Sequence, residues 1–209
     1  NFLEDSGIQV EVKIHDNPSV KVRAYVLKPE IFGSVPIYLL TTDVPGNDHL
    51  SKTITDHLYD NNTLTRISQN IVLGIGGAKV VQELGGADIY HLNEGHALPA
   101  FYYLRSLGIN RNQMFFTTHT PEKAGNMERN GHLLNSCGFF GRTLTEEELN
   151  KEVVNDDMLN YTVAALRMAK KTNAVSKLHS VVANSMWNSF SGTSKIIPIT
   201  NSQNQGFWQ

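Results

Sequence analysis

Three short polar clusters in this chain are candidates for binding a small ligand, because each follows an apolar stretch typical of a β-strand. They are His91-Leu92-Asn93-Glu94-Gly95-His96, Thr117-Thr118-His119-Thr120-Pro121 and Thr200-Asn201-Ser202. In open α/β sheets, ligands bind at the carboxyl ends of the strands. The clusters therefore predict one crevice lined by imidazole, amide and hydroxyl groups. Such groups suit a neutral sugar better than a charged metabolite, although the residues alone indicate only a small polar ligand.

Each cluster also has a purely structural interpretation. Asn93 and Glu94 could cap the helix that follows them. His119 could be a structural histidine whose ring is satisfied by backbone carbonyls. The residues alone leave both interpretations open.

His91, Glu94 and His96 are all potential metal ligands. On a strand, His91 and His96 would point to opposite faces, and the chain has neither the His-Glu-x-x-His spacing nor a pair of cysteines. The sequence therefore predicts no metal.

The run Gly74-Ile75-Gly76-Gly77 resembles a dinucleotide fingerprint, but Lys79 stands where the third glycine is needed. Close helix packing through small residues is the favoured interpretation. Nucleophilic hydrolysis is disfavoured, because there is no Gly-x-Ser-x-Gly turn and Cys137 has no evident histidine partner.

The elements that must position the clusters follow from hydrophobic periodicity. Alternating apolar residues on both sides of Asp16–Ser19 predict a β-hairpin. The nearly continuous apolar run from Val35 to Leu40 predicts a strand buried on both faces. Helix and strand signals then alternate, which predicts a Rossmann-like parallel sheet. The predicted helices are about 66–84, 97–107 and 177–187, with a capped start at Thr145; the predicted strands are 89–92, 114–117, 174–176 and 196–200. The stretch from Pro121 to Thr143 is predicted to be a long functional loop.

Composition is that of a globular protein: of the 209 residues, 40% are hydrophobic and 18% charged. The formal charge of -2 and the lack of a basic block argue against nucleic-acid binding. No apolar run approaches the roughly 20 residues of a membrane span, so no membrane partner is expected. A single cysteine favours a reducing compartment, and we expect the cytoplasm. The chain does not begin with Met, so it is expected to be a piece of a longer protein.

Several motifs, in one order, resemble the α-glucan phosphorylases, the family that acts on glycogen, starch and maltodextrin. The resemblance covers nearly the whole chain, from about residue 8. The matching runs are Val35-Pro36-Ile37-Tyr38-Leu39-Leu40-Thr41-Thr42-Asp43-Val44-Pro45, the stretch 66–77, His91-Leu92-Asn93-Glu94-Gly95-His96-Ala97, Phe116-Thr117-Thr118-His119-Thr120-Pro121, Asn173-Ala174-Val175-Ser176-Lys177-Leu178-His179 and Thr200-Asn201.

The resemblance implies a two-domain glycosyltransferase of the B type that performs reversible phosphorolysis of α-1,4-glucan to glucose 1-phosphate. Residues 1–209 would form a single, incomplete N-terminal glucan-contacting domain, with a β-hairpin extension at 1–34 and a Rossmann-like part at 35–209. The implied partners are α-1,4-glucan, phosphate, a C-terminal domain or chain, and a second copy in a homo-oligomer. Pyridoxal phosphate would be carried by the C-terminal domain, so no cofactor-binding residue is expected in this chain.

The resemblance also implies the roles of individual residues. His119 matches the histidine that contacts the glucosyl unit at the point of cleavage and is the candidate catalytic residue. The candidate substrate-binding residues are Asn93, Glu94, Gly95, His96, Thr120 and Asn201.

Departures from the family pattern leave other functions open. Ala174 and Ser202 stand where the family has glycine, and Gln203-Asn204 also departs from its pattern. The alternatives are a non-catalytic glucan-binding or interaction subunit and a nucleotide-sugar glycosyltransferase of the same architecture. The chain alone is expected to be inactive, because it lacks the family's phosphate-handling parts.

Overall fold

The computed structural model describes residues 2–202, apart from the side chains of Phe32 and Lys123. Within these residues an antiparallel sheet comes first along the chain and a parallel sheet follows it. The strands are β1 (Leu3–Ile14), β2 (Asn17–Leu27), β3 (Ile37–Thr41), β4 (Tyr90–Asn93), β5 (Met114–Thr118), β6 (Glu128–Asn130), β7 (Met158–Asn160), β8 (Lys171–Ala174) and β9 (Ile196–Pro198). The helices are α1 (Pro29–Phe32), α2 (His49–Lys52), α3 (Thr63–Ile71), α4 (Gly77–Glu83), α5 (Leu98–Ser106), α6 (Gly131–Cys137), α7 (Glu146–Glu152), α8 (Tyr161–Met168) and α9 (Lys177–Trp187). None of the helices in residues 2–202 is long and apolar enough to cross a membrane.

The predicted hairpin is confirmed by the pairing of β1 with β2. Val12 lies opposite Val20, both are buried, and polar residues alternate with them on the other face. The prediction that 35–40 is a strand buried on both faces is wrong. β3 pairs antiparallel with β2 at the end of this sheet, and its residues Ile37 and Leu39 are 41% and 46% exposed. An apolar run identifies a strand but not the sheet that it joins.

The parallel sheet has the strand order β4-β5-β8-β9, and all three pairings are parallel. The predicted α/β, Rossmann-like fold is therefore confirmed. The predicted helix at 177–187 coincides with α9, whereas the strand predicted at 174–176 begins earlier, as β8. The strand predicted at 196–200 ends at Pro198.

The predicted helix at 66–84 is a helical run in which a π-helical segment, Val72–Gly76, joins α3 to α4. Gly74 lies in this segment, where a Cβ atom would be 2.8 Å from the amide nitrogen of Ala100 and 2.9 Å from Cβ of Pro99. The absence of a side chain thus allows the π segment to touch the start of α5. The predicted close helix packing is confirmed.

The segment from Pro121 to Thr143 is more ordered than the predicted long loop. It contains β6 and α6, and Leu134, Phe139 and Phe140 belong to the buried core. The prediction failed because these buried side chains come from a helix of only seven residues and from the turn after it, so they show no extended periodicity.

Helix α7 begins with the predicted capping box, and this contact should make the stability of the protein depend on pH in the acid range. Thr145 and Glu148 bond each other's backbone amides, and Arg142 pairs with the same carboxylate. Hydrogen bonds from Arg142 and then from the Thr145 amide lower the pKa of Glu148 to about 2. A lowered folded-state pKa stabilises the fold above the pKa of the unfolded chain, and this contribution is lost as pH falls toward 2.

We expect Glu148→Gln to lower the midpoint of thermal unfolding at pH 7. The difference from wild type should shrink steadily between pH 5 and pH 2, as measured by circular dichroism melts. Glu147→Gln is the matched control, because Glu147 is 84% exposed and, among residues 2–202, its side chain pairs only with Lys151. A pH-independent difference for Glu148→Gln would contradict the assignment.

Candidate functional site

The carboxyl ends of the parallel strands meet at one edge of the sheet, and the predicted polar clusters lie there. Asn93 ends β4, His119 follows β5, and Asn201 comes after β9. The amide of Asn201 donates to the carbonyl of Val175 (3.1 Å), which ties the exit from β9 to the exit from β8. Three strand steps separate β4 from β9, roughly 14 Å. The structure thus arranges one residue from each cluster, Asn93, His119 and Asn201, in a row at this edge.

His119 is the central group of this row, and its ring is exposed. Its Nε2 atom lies 2.5 Å from Oδ1 of Asn93. With a carbonyl oxygen as its neighbour, Nε2 carries the proton of the neutral imidazole, and Nδ1 is an acceptor. Among the described residues, Nδ1 has no hydrogen-bond partner. The ring is therefore oriented by Asn93 and presents an acceptor for the hydroxyl of a ligand.

Glu94 links the end of β4 to the segment after β5. Its amide donates to the carbonyl of Thr117 (2.9 Å). Its Oε1 atom accepts from the amide of His119 and from the hydroxyl groups of Thr120 (3.2 Å) and Thr118 (3.4 Å). One carboxylate oxygen thus holds three consecutive residues that include the candidate catalytic histidine.

The backbone of Glu94 is strained. Its φ of 67° and ψ of 173° lie in a region populated almost only by glycine, at a cost of about 1–3 kcal/mol for another residue. Strain of this kind persists where the surrounding structure enforces it, and it is concentrated at functional sites. Gly95, the next residue, is required for space, since a Cβ atom there would lie 3.0 Å from Cβ of Tyr161.

Thr120 is held from the other side by Asn126, whose amide nitrogen lies 3.5 Å from the Thr120 carbonyl oxygen. Asn126 in turn accepts from the hydroxyl of Thr162 (2.6 Å), at the start of α8. The segment carrying His119 is therefore fixed both to the turn after β4 and to α8.

The structure does not bring His96 to this row of groups. The ring of His96 lies 5.8 Å from that of Tyr59, and burial followed by the charge of Arg66 lowers the pKa of His96, against a smaller opposing effect of Glu94. His96 lines an apolar groove of about 690 Å³ between β3, the α3–α4 helical run and β4. The apolar walls of this groove offer few partners for sugar hydroxyls, so it is not the candidate sugar site.

His91 takes part in a separate chain of hydrogen bonds across three strands. Its Nε2 atom lies 2.7 Å from Oγ1 of Thr117, which donates to Oδ1 of Asn173 (2.7 Å). Because the Thr117 hydroxyl has one proton, His91 donates to it. In the part of the chain that the structure describes, no group of three or more His, Cys, Asp and Glu side chains is arranged to hold a metal ion.

Sequence reasoning did not single out His179 as a site residue. This histidine is only 6% exposed, its Nδ1 atom accepts from the amide of Val175 (3.4 Å), and its Nε2 atom has no partner in residues 2–202. Burial lowers its pKa, with a smaller opposing effect of the nearby Glu94 carboxylate. His179 lies at the third position of α9, and in the sequence it is named only as the last residue of a family motif. Polar and apolar residues are mixed along α9, so nothing in its sequence marks His179 as a buried histidine.

Comparison with known proteins relates the chain to a defined group of enzymes. It is 44% identical, over its whole length, to an uncharacterized protein of Methanocaldococcus jannaschii, of which it covers 40%. It is 37% identical over 194 residues to the maltodextrin phosphorylase of Thermococcus litoralis, with 85% of this chain and 23% of the relative covered. It is 31% identical over 211 residues to the glycogen phosphorylase of Mycobacterium tuberculosis, with 87% and 24% covered. The chain thus spans about two-fifths of the first relative and about a quarter of these two phosphorylases.

The fold has a counterpart among solved structures. The catalytic domain of starch synthase IV from Arabidopsis thaliana, bound to ADP and acarbose, matches 99% of this chain and 42% of its own, with a TM-score of 0.67 and 16% identity. At this identity the likeness concerns the fold alone, and it confirms part of a glycosyltransferase B-type architecture. No protein-family model matches the chain.

Proposed function

Since this chain is homologous to a segment of the α-glucan phosphorylases, we propose that it forms the N-terminal, glucan-contacting part of such an enzyme. The reaction is reversible phosphorolysis of α-1,4-glucan, in which phosphate displaces the terminal glucosyl unit as glucose 1-phosphate. The proposed division is a hairpin extension up to residue 34 and a Rossmann-like portion from residue 35 onward; β3, in the second portion, pairs with β2 of the hairpin. We further propose a cytoplasmic location, because a single cysteine favours a reducing compartment.

The arrangement around His119 carries the proposal. Asn93 orients the ring, Glu94 fixes the backbone, and Nδ1 of the exposed ring accepts from a glucosyl hydroxyl. Aligned parallel strands place Asn201 in the same row, where its exposed amide side chain reaches another hydroxyl of the sugar. A set of neutral donors and acceptors of this kind recognises an uncharged polyhydroxyl ligand.

The remaining candidates support this set to different degrees. Thr120 and Gly95 are proposed to support sugar binding indirectly, by stabilising the backbone of their segments. The Thr120 hydroxyl is already bonded to Glu94, and Gly95 is buried against Tyr161. His96 faces the apolar groove, and its contribution is through the turn that it shares with Asn93. Gln203 and Asn204, two of the departures from the family pattern, lie outside the described residues.

Pyridoxal phosphate is implied for the complete enzyme, but the residues of this part do not fit it. A lysine that forms a Schiff base is typically enclosed in a pocket that lowers its pKa. Of the lysines whose side chains the structure describes, none is buried. The proposal therefore assigns the cofactor to another part of the complete protein, and to the residues described here the binding and orientation of the sugar.

The complete protein should release glucose 1-phosphate from maltoheptaose in the presence of inorganic phosphate, as measured by a coupled enzymatic assay. A control without phosphate should release none. Glucan binding by isothermal titration calorimetry without any glucose 1-phosphate would instead support a non-catalytic glucan-binding subunit. Release of a nucleoside diphosphate from a nucleotide sugar would support a glycosyltransferase. Either result would contradict the proposal.

A further inference from the structure

We infer that Glu94 is a positioning residue that sets the location of His119, and that its strained backbone is retained for this purpose. The inference rests on the proposed function for its catalytic consequence, but its structural part stands on geometry alone. Sequence similarity suggests a substrate contact for Glu94, whereas the structure shows Oε1 already engaged with the chain.

The first observation is the mismatch between residue and conformation at position 94. With φ at 67° and ψ at 173°, the position suits glycine, and a glycine would adopt it without strain. The adjacent residue, Gly95, is a glycine for another reason: a side chain there would crowd Tyr161. Because glycine would fit this backbone conformation better, the presence of glutamate at position 94 is explained by the contacts of its side chain.

The second observation is what the carboxylate holds. Its three donors come from Thr118, His119 and Thr120, the residues at which the chain leaves β5. Hydrogen bonds to an ionised acceptor are shorter and stronger than those between neutral groups. The bond to the His119 amide matters most, because it fixes the backbone from which the imidazole extends.

The third observation is that the His119 ring is fixed from the same turn. Asn93, the residue before Glu94, contacts Nε2 of His119. Two consecutive residues at the end of β4 therefore hold His119: Asn93 contacts its ring, and Glu94 contacts its backbone amide. A displacement of about 1 Å at a reacting group lowers enzymatic rates by as much as about 10²-fold, so this double attachment has a catalytic consequence.

Glycine and alanine at position 94 separate the two contributions. Glu94→Gly removes the carboxylate and relieves the backbone, whereas Glu94→Ala removes the carboxylate and keeps the strain. We expect the midpoint of thermal unfolding to stay within about 2 °C of wild type for Gly and to fall by about 5 °C or more for Ala. Both variants should lose about 10²-fold in kcat/KM for maltoheptaose phosphorolysis by the complete protein. Glu94→Gln, which keeps an acceptor oxygen at the same place, should recover part of this loss.

Amide hydrogen exchange, followed by NMR, tests the positioning without any substrate. The His119 amide should exchange at least about tenfold faster in Glu94→Gly than in wild type, while the Thr117 amide in the β5 ladder should be unchanged. Unchanged exchange of the His119 amide, or wild-type kcat/KM in Glu94→Gly, would overturn the inference. If the wild-type protein does not phosphorolyse glucan at all, the proposed function fails, and the exchange experiment still decides whether Glu94 positions His119.

Discussion

His119→Ala is expected to lower kcat/KM for glucan phosphorolysis by the complete protein, with a loss of about 1.5–4 kcal/mol of transition-state stabilisation, the scale of one positioned hydrogen-bonding group. The reason is that the ring presents Nδ1 at the carboxyl edge of the sheet, in an orientation fixed by Asn93. Stability should change little, since the ring is exposed and its only described partner, Asn93, is also exposed. Glucose 1-phosphate release and thermal unfolding are measured side by side.

A matched control is His49→Ala, because His49 is exposed at the start of α2, far along the chain from the strand ends. This variant should keep wild-type turnover. If His119 only supported its loop, the midpoint of unfolding would fall and activity would decline in proportion to the folded fraction. Full activity per folded molecule in His119→Ala would remove His119 from the active site.

The position of three candidate residues at one edge of the sheet could be predicted from sequence, because the signals for strand ends are local. A polar cluster after an apolar run marks the end of a strand, and parallel strands bring their carboxyl ends to one edge. Asn93, His119 and Asn201 follow this rule, and the structure places them in one row. Their roles toward a sugar remain predictions, since they come from the family resemblance.

The contacts within the site could not be predicted, because they join residues far apart in sequence. Glu94 accepts from His119 across 25 residues, and Asn126 accepts from Thr162 across 36. The positive φ of Glu94 was equally invisible, since a glutamate gives no signal for a conformation typical of glycine. The same limit explains the error at β3, where an apolar run indicated a strand but not its antiparallel partner, β2.

Gly74→Ala is expected to destabilise the protein by about 3 kcal/mol, which for a chain of this size lowers the midpoint of thermal unfolding by about 6–12 °C. The added methyl group would lie 2.8 Å from the amide nitrogen of Ala100, 2.9 Å from Cβ of Pro99 and 3.0 Å from the carbonyl oxygen of Ala97. Two of these are backbone atoms and the third belongs to a proline ring, so none can move aside by a rotamer change. Relief requires the π segment and α5 to separate.

Gly77→Ala is the matched control, three residues along the same helical run. Its added methyl group would meet nothing closer than Cδ1 of Leu40, at 3.8 Å, which is ordinary van der Waals contact. Since alanine is the better helix former, this variant should gain about 0.5–1 kcal/mol. Opposite shifts in the two melts would show that Gly74 is required for space and not for backbone freedom.

Gly74→Ala should also accelerate hydrogen exchange of the His119 amide. Ala97 directly precedes α5 and follows the turn that carries Glu94, so a movement of α5 away from the π segment would reach the Glu94–His119 contact. A Gly74→Ala protein as stable as Gly77→Ala would show that the π segment does not hold α5 in contact.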